Sequence, residues 1–350
     1  MEPKVSVIIL NWNGWKDTVD CIKSLYKIDY PNYNIVVVDN ASEDGSVEKI
    51  KDFYSEPLHW DPNLSPMGMD LKLLKFSKKG LKPLNDEKGL KSRNLKDKAD
   101  YQDLNRSTVI IENDKNYGFA GGNNVGMRFS LDFLKSDYSL LLNNDTTVEK
   151  DFLSELVNEA QKHDDAGSFQ SLLLSPDGKT IDSLGQELLS YRAHDKGMGC
   201  AYEGKMSVNE IFGPCAASAL YKNTVLEEVG VFDEKFFVIF EDLDLSWRMR
   251  LKGQKSFLVP KSVVYHKRGI SGEKASDRMG YYLSRNWMII LLMYYPLNGF
   301  LIKTILKTGL SFLKRGRFKE FLEVFIENVK IRRSTQKNPL LKVIQGEWIE

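Results

Sequence analysis

Val5-Ser6-Val7-Ile8-Ile9-Leu10-Asn11-Trp12-Asn13-Gly14 is a short, almost wholly apolar run that ends in a polar turn. A strand without polar alternation is one covered on both faces, the habit of parallel sheets. Asn13-Gly14 reads as a turn and cap, and Trp15 to Lys27 then carries Val19, Ile22 and Leu25 at helical spacing. The pattern recurs. Asn34 to Val38 is apolar and ends at Asp39-Asn40; Ser42-Glu43-Asp44-Gly45-Ser46 follows, then a helix from about Val47. Strands at Thr108 to Glu112 and Tyr138 to Leu142, the second ending in Asn143-Asn144-Asp145, and a helix over Val148 to Lys162 continue it. The alternation predicts a parallel α/β sheet with helices on both faces. Ligands of such sheets sit beyond the carboxyl ends of the strands, where Asn11, Asn13, Asp39 and Asn40 fall.

Two segments depart from this rhythm. Ser55 to Arg106 holds Pro57, Pro62, Pro66 and Pro83 among many lysines and is expected to be an insertion, partly ordered at best. Asn116 to Gly126 is a Gly/Asn loop leading into a helix; such a loop can present backbone N–H groups to a phosphate, and most are simply tight turns. It lacks the Gly-Lys-Ser/Thr of a P-loop and the glycine spacing of a dinucleotide fold. The second half changes character. Short strands at Phe169 to Leu174, Lys179 to Ser183 and Ala216 to Tyr221 imply mixed pairing, a helix is expected over Glu241 to Lys252, strands over Ser256 to Val259 and Val263 to His266, and helix from Tyr281 to about Arg333.

With 350 residues, 42% apolar and 28% charged, the composition is that of a soluble globular protein, and a net charge of +1 gives no global pull towards nucleic acid. Cys21, Cys200 and Cys215 lie far apart without metal-like spacing, so a reducing cytosolic setting is expected. The start runs directly into a strand, and no signal peptide is expected. The uncharged run Asn286 to Ile302 is broken by Pro296, Asn298 and Gly299 and falls short of the roughly 20 apolar residues of a spanning helix. It is expected to be a buried or interfacial helix pair. Further on, Phe312, Phe318, Phe321, Phe325 and Ile326 interleave with Lys314, Arg315, Arg317, Lys319 and Lys330. That pattern fits equally a helix lying on the inner face of an anionic membrane and a subdomain packed on the core or on a second subunit.

Chemistry concentrates in three places. Glu241-Asp242-Leu243-Asp244 packs three carboxylates into four positions directly after Phe236-Phe237-Val238-Ile239-Phe240. Apolar surroundings make ionisation costly and keep a carboxylate basic enough to take a proton near neutral pH; the plain alternative is acids capping a helix. Asp145 at a strand end is either an N-cap or a cation ligand, and one carboxylate suffices where phosphates complete the shell. His266 ends the last strand and can supply a nitrogen ligand or a structural hydrogen bond.

Taken in order, these motifs resemble the family 2 inverting glycosyltransferases, which have the GT-A fold. The matching residues are Val5 to Gly14, Val37 to Ser46, Asn116 to Asn123, Leu141 to Thr146, Gly230 to Glu234 with Glu241 to Leu245, and Tyr265-His266, covering residues 1 to about 268 apart from the insertion. Tyr281-Tyr282-Leu283-Ser284-Arg285-Asn286 is similar to a motif of the rhamnosyltransferase-like branch. The resemblance implies a GT-A catalytic domain over 1–268, in which a Rossmann-like nucleotide-binding half joins a mixed-sheet acceptor half, and a mainly helical region over 269–350. It implies that Asp39 reads the base and ribose of a UDP- or dTDP-sugar, and that Asn11, Asn13 and Asn40 belong to the same nucleotide-sugar site. Gly118, Gly121 and Asn123 line the same pocket. Asn143-Asn144-Asp145 stands for the Asp-x-Asp element, with one charge missing at Asn143; Asp145 and His266 hold Mg²⁺ or Mn²⁺. Asp242, beside Glu241, is the base that deprotonates a hydroxyl of a glycan or lipid-linked acceptor. Lys267 and Arg268 open the glycine-rich stretch Gly269 to Gly272, expected to close over the diphosphate. A nucleotidyltransferase is disfavoured because Asn11 to Gly14 carries no cation. The alternative is a non-catalytic nucleotide- or carbohydrate-binding protein that kept the fold.

Overall fold

A computed structural model describes residues 2–55, 71–77, 80–83, 107–189, 192–268 and 276–349. Its centre is the parallel layer read from the sequence. β1 (Val5–Asn11) pairs in parallel with β2 (Tyr33–Asp39), and α1 (Trp15–Leu25) joins them. α2 (Ser46–Ser55) follows, and β3 (Leu71–Ser77) and β4 (Gly80–Pro83) form a hairpin. β3 pairs in parallel with β5 (Thr108–Asn113), which itself pairs with β2. The insertion therefore contributes two strands to the sheet; the rest of it lies outside the described residues.

α3 (Gly118–Phe129) begins inside the stretch expected to be loop. Glycine is a poor helix former, but here the helix lies so close to the sheet that a Cβ on Gly126 would sit 2.4 Å from Ile8 Cγ2, and one on Gly122 2.5 Å from Leu10 Cδ1. Packing overrides propensity. β6 (Tyr138–Leu142) pairs in parallel with β1. β7 (Thr146–Val148) is a strand where none was expected and overlaps the expected helix only at Val148; α4 (Phe152–Ala160) starts after it.

The second half is mixed, as expected. β8 (Ala166–Leu174) carries the short β9 (Ile181–Ser183) on its edge, and β10 (Gln186–Leu189) pairs with β11 (Arg192–Asp195) in a separate ribbon. β12 (Asn209–Ile211) lies at the sheet's far edge, and β13 (Ser218–Lys222) runs antiparallel between β6 and β8. α5 (Asn223–Val229) and α6 (Glu241–Arg250) lead to β14 (Lys255–His266), one long strand with a register shift where two strands were expected. β14 is parallel to β8 and antiparallel to β7, so His266 stands opposite Thr146.

α7 (Ser276–Tyr294), α8 (Gly299–Lys314), α9 (Phe318–Thr335) and α10 (Leu340–Trp348) form the C-terminal region. They share a core with the sheet half: Trp247 of α6 stacks on Tyr294 of α7 at 4.9 Å, and Arg250 lies 4.5 Å from the Trp348 ring. Asn286 to Ile302 ends α7 and begins α8, and among the described residues no helix is long and apolar enough to cross a membrane.

Candidate active site

The strand register sets Asn11 beside Asp39 at the carboxyl edge of the sheet. Asn11 Nδ2 donates to Asp39 Oδ1 (2.7 Å) and to Ser42 Oγ (3.1 Å), while Ser42 donates its hydroxyl to Asp39 Oδ1 (2.6 Å) and its N–H to Asp39 Oδ2 (3.0 Å). Asp39 is thus a buried carboxylate held by neutral donors. Asn13 extends the network: its N–H donates to Ser42 Oγ and its Oδ1 accepts from Glu43 N–H. Thr18 donates to Asn11 Oδ1 (2.8 Å) and accepts from Asn144 Nδ2 (3.1 Å). One chain of hydrogen bonds therefore runs from Asp39 through Asn11 and Thr18 to the Asn143-Asn144-Asp145 turn.

Asn40 is a clamp for the start of α3. Its amide donates to Asn116 Oδ1 and the Gly118 carbonyl and accepts from Asn113 Nδ2 and Tyr117 N–H, all within 3.1 Å. Gly118 takes φ +75°, and a Cβ there would meet the Phe237 carbonyl at 2.4 Å. Gly121 lies on the next turn against Tyr117, and Asn123, buried, donates back to the Phe119 carbonyl inside the helix.

At the neighbouring strand end, His266 Nε2 lies 3.2 Å from Asp145 Oδ1 and 3.4 Å from Asn143 Nδ2. Its other ring nitrogen donates to Asp182 Oδ2 at 2.8 Å. Burial opposes charge on His266, but hydrogen bonds to Asp145 and Asp182 outweigh it and push the ring up to about 9. Burial likewise opposes ionisation of Asp182, yet His266 and Arg268 hold its carboxyl below the ordinary range. A carboxylate that fixes one ring nitrogen and leaves the other to ligate is how protein metal sites orient histidine; here Asp182 fixes Nδ1, and Nε2 lies beside the Asp145 carboxylate. The donor set fits a hard divalent cation bound with phosphates, to which the protein gives only one or two side chains. Among the described residues no three His, Cys, Asp or Glu side chains are grouped to cage a cation unaided. Lys267 pairs with Asp17 (2.8 Å), and Arg268 pairs with Asp182 and Asp195. The stretch Gly269 to Gly272 lies outside the described residues.

The three acids of α6 have three environments. Asp244 is buried, accepting from Arg248 Nε (2.8 Å) and Tyr294 OH (2.7 Å), and fastens α6 to α7. Glu241 is buried, its Oε2 without a partner among the described residues; burial, then the charges of Asp242 and Asp244, push its carboxyl well above the usual range. Asp242 is only partly buried. Its two oxygens accept from Ala216 N–H (3.2 Å) and Leu243 N–H (2.7 Å). Burial raises its carboxyl to about 6; the Ala216 and Leu243 N–H groups and Gln186 pull it down, and Asp195 adds to the rise. Ala217, next to Ala216, accepts from Asn143 N–H (3.0 Å), which ties the support of Asp242 to the Asn143 turn.

The segment feeding α6 is strained. Phe237, Ile239 and Phe240 take φ of 63°, 72° and 70°, each costing about 1–2 kcal/mol for a side chain bearing Cβ. Asn286 holds it: its buried Nδ2 donates to the carbonyls of Phe236, Val238 and Ile239, each at 2.8 Å. The Phe237 carbonyl accepts from Ala120 N–H of α3 (3.0 Å). Asp182, Asp195, Gln186 and this use of Asn286 were not read from the sequence. Asp182 sits in a three-residue strand without periodic signal. Asn286 stands at the end of the Tyr281 to Asn286 motif, but its partners lie about 50 residues away in the chain.

The family profile described as Glycosyl transferase family 2 matches residues 6–65 and 95–230. The "Low-salt glycan biosynthesis hexosyltransferase Agl10" of Haloferax volcanii is 29% identical over 145 residues, 40% of this chain and 45% of that protein. The crystal structure of GalNAc-T7 with UDP, GalNAc and Mn²⁺ is similar in fold, with a TM-score of 0.57 at 15% identity, over 97% of this chain and 58% of that one. S. aureus TarS 1–349 in complex with UDP-GlcNAc gives a TM-score of 0.52 at 14% identity, over 98% and 87%. The chain thus spans about half the length of the first two proteins. The mixed sheet and C-terminal helices are those of the GT-A fold.

Proposed function

The chain belongs to glycosyl transferase family 2, and we propose that it moves a sugar from a nucleoside-diphosphate sugar to a hydroxyl of a glycan or lipid-linked acceptor, with inversion. Residues 1–268 act as the catalytic unit and 269–350 as a helical extension, working on the cytoplasmic side of a membrane. Asp39, with Asn11 and Asn13, receives the base and ribose of a UDP- or dTDP-sugar, and Asn40 sets the α3 start around it. Gly118, Gly121 and Asn123 form the pocket wall. Asp145 and His266 hold Mg²⁺ or Mn²⁺, with Asn143 and Asn144 shaping the turn. Bound there, the cation would stabilise negative charge on the departing diphosphate. Lys267 and Arg268 stand by the same site and add positive charge.

The observation that carries this reading is Asp242. Two backbone N–H groups fix its oxygens, and its carboxyl, at about 6, is ionised yet basic near neutral pH. It accepts the proton of the acceptor hydroxyl as the hydroxyl oxygen bonds to the anomeric carbon. The bond from that carbon to the diphosphate oxygen breaks on the opposite face, taking its electron pair. Burial and the charges of Asp242 and Asp244 disfavour a second negative charge on Glu241 beside it, which limits repulsion of the nascent alkoxide. The test is release of nucleoside diphosphate from a panel of UDP-, dTDP- and GDP-sugars with Mn²⁺ or Mg²⁺, in wild type and Asp242→Asn. The variant is expected to lose transfer at least 10²-fold and to keep donor binding; turnover at the wild-type rate would refute the assignment. Asn143, which leaves the cation site one charge short, favours a second reading, a non-catalytic nucleotide- or carbohydrate-binding protein. Donor binding without turnover, even when acceptor is supplied, would select it.

A further inference from the structure

Exposed apolar side chains are unevenly distributed on this molecule. Of 17 large hydrophobic residues exposed among the described ones, 13 lie between Met279 and Val343. Scattered exposed hydrophobics need no explanation, but a contiguous stripe marks a contact surface. The stripe is on α8. Ile302, Leu306, Leu310 and Leu313 are 50, 63, 60 and 56% exposed, and their spacing of four, four and three places them on one helical face. The opposite face is anchored, with Leu301, Thr308 and Phe312 buried and Phe312 against Phe321 of α9 at 5.8 Å between ring centres. The outward stripe is therefore not the misplaced core side of the helix.

Its flank decides the occupant. α8 contains no Asp or Glu, while Lys303, Lys307 and Lys314 are exposed one position beyond members of the stripe and form no ion pair among the described residues. A second copy docking through this face would bring like charges together, with no acid on the helix to pair across the twofold axis. An anionic bilayer satisfies both features, since apolar side chains enter the headgroup–acyl boundary while lysines reach up to lipid phosphates. We propose that α8 is a membrane-docking helix that lies in the plane of an anionic lipid surface, with Ile302, Leu306, Leu310 and Leu313 inserted and Lys303, Lys307 and Lys314 on the headgroups. The proposal deepens the lipid-linked acceptor reading and rests on it for its purpose, whereas the docking itself requires no turnover.

The experiment is co-sedimentation of the full chain with phosphatidylcholine vesicles, with and without phosphatidylglycerol. Binding is expected only with the anionic lipid and is expected to weaken with salt. Leu306→Glu with Leu310→Glu should reduce vesicle partitioning at least tenfold while leaving the unfolding temperature unchanged. Lys303→Ala with Lys307→Ala should weaken binding to the anionic vesicles by about fivefold for each lysine. Asp242→Asn should sediment as wild type does, so that failure of docking and failure of the catalytic reading are seen apart. Two results overturn the proposal: sedimentation of the Leu306/Leu310 variant at the wild-type level, or a concentration-dependent dimer that this variant dissolves together with absence of vesicle binding.

Discussion

Replacing Asn286 by Ala removes one side chain and withdraws a donor from three carbonyls at once. The amide donates to Phe236, Val238 and Ile239, each at 2.8 Å, and also accepts from Arg285 Nη1 at 2.7 Å. A buried carbonyl left without its donor costs about 1–3 kcal/mol. Two N–H groups serve the three acceptors, so the loss comes to about 2–6 kcal/mol. The clamped segment includes Phe237, Ile239 and Phe240 in left-handed conformations, with about 3–6 kcal/mol of strain opposing it at 1–2 kcal/mol per residue. Once released, the segment relaxes, and α6 with Asp242 moves with it. A displacement of about 1 Å at a reacting group can cost about 10²-fold in rate. The expected result for Asn286→Ala is a lower unfolding temperature, kcat reduced at least tenfold and a KM for donor changed much less. Asn286→Asp, which cannot donate and brings a charge beside three carbonyl oxygens, should be worse than Ala. Steady-state kinetics and thermal unfolding on the same preparations decide it. A stable Asn286→Ala variant with wild-type kcat, or an Asp variant better than Ala, would refute the reasoning.

Other consequences are more local. The Asp242 carboxyl stands at about 6, above its usual 3.8, so kcat/KM should fall about tenfold per pH unit below 6 as the base is protonated. The stability sign is opposite: because the folded state holds this proton more tightly, the group favours folding at low pH and loses that contribution as pH rises from about 3.8 through 6. A kcat/KM profile flat from pH 7 to pH 4 would contradict the role given to Asp242. Asp145→Ala should weaken Mn²⁺-dependent nucleotide binding by about 10- to 100-fold and leave metal-free binding nearly unchanged; equal titration calorimetry curves for variant and wild type would count against the cation site. Gly118→Ala places a Cβ 2.4 Å from the Phe237 carbonyl at φ +75°. It should cost about 1–2 kcal/mol in backbone conformation alone, and an unchanged unfolding temperature would show that the contact is not close.

The parallel layer was legible because β1, β2 and β6 are buried on both faces and so carry unbroken apolar runs, with polar residues only where the chain emerges. The carboxyl-end residues Asn11, Asp39 and Asp145 could be named for the same reason. The glycines of α3 misled, since single-residue propensity argues against helix and only the sheet lying against Gly122 and Gly126 explains them. β3 and β4 were hidden by lysines and by flanking prolines that dominate the composition of the insertion. β7 went unseen because three residues cannot display a period of their own, and the helix expected from Val148 starts only at Phe152. In the site, residue types were readable but partnerships were not. The hold of Asp182 on His266 joins positions 84 residues apart, and the hold of Asn286 on the α6 approach joins positions 47 to 50 apart.

The bond from Ala120 N–H to the Phe237 carbonyl has a consequence for recombination among relatives. Asn124 also exchanges a reciprocal pair with Phe232, accepting from its N–H at 3.0 Å and donating to its carbonyl at 2.9 Å. The helix that borders the proposed donor pocket and the segment that presents the proposed base are therefore a single fitted part, although more than 100 residues separate them in the chain. A chimera cut in the middle, taking its first 150 residues from one parent and the remainder from another, would mismatch both sides of this joint. One that exchanged residues 118–124 together with 232–240 would carry the joint across intact.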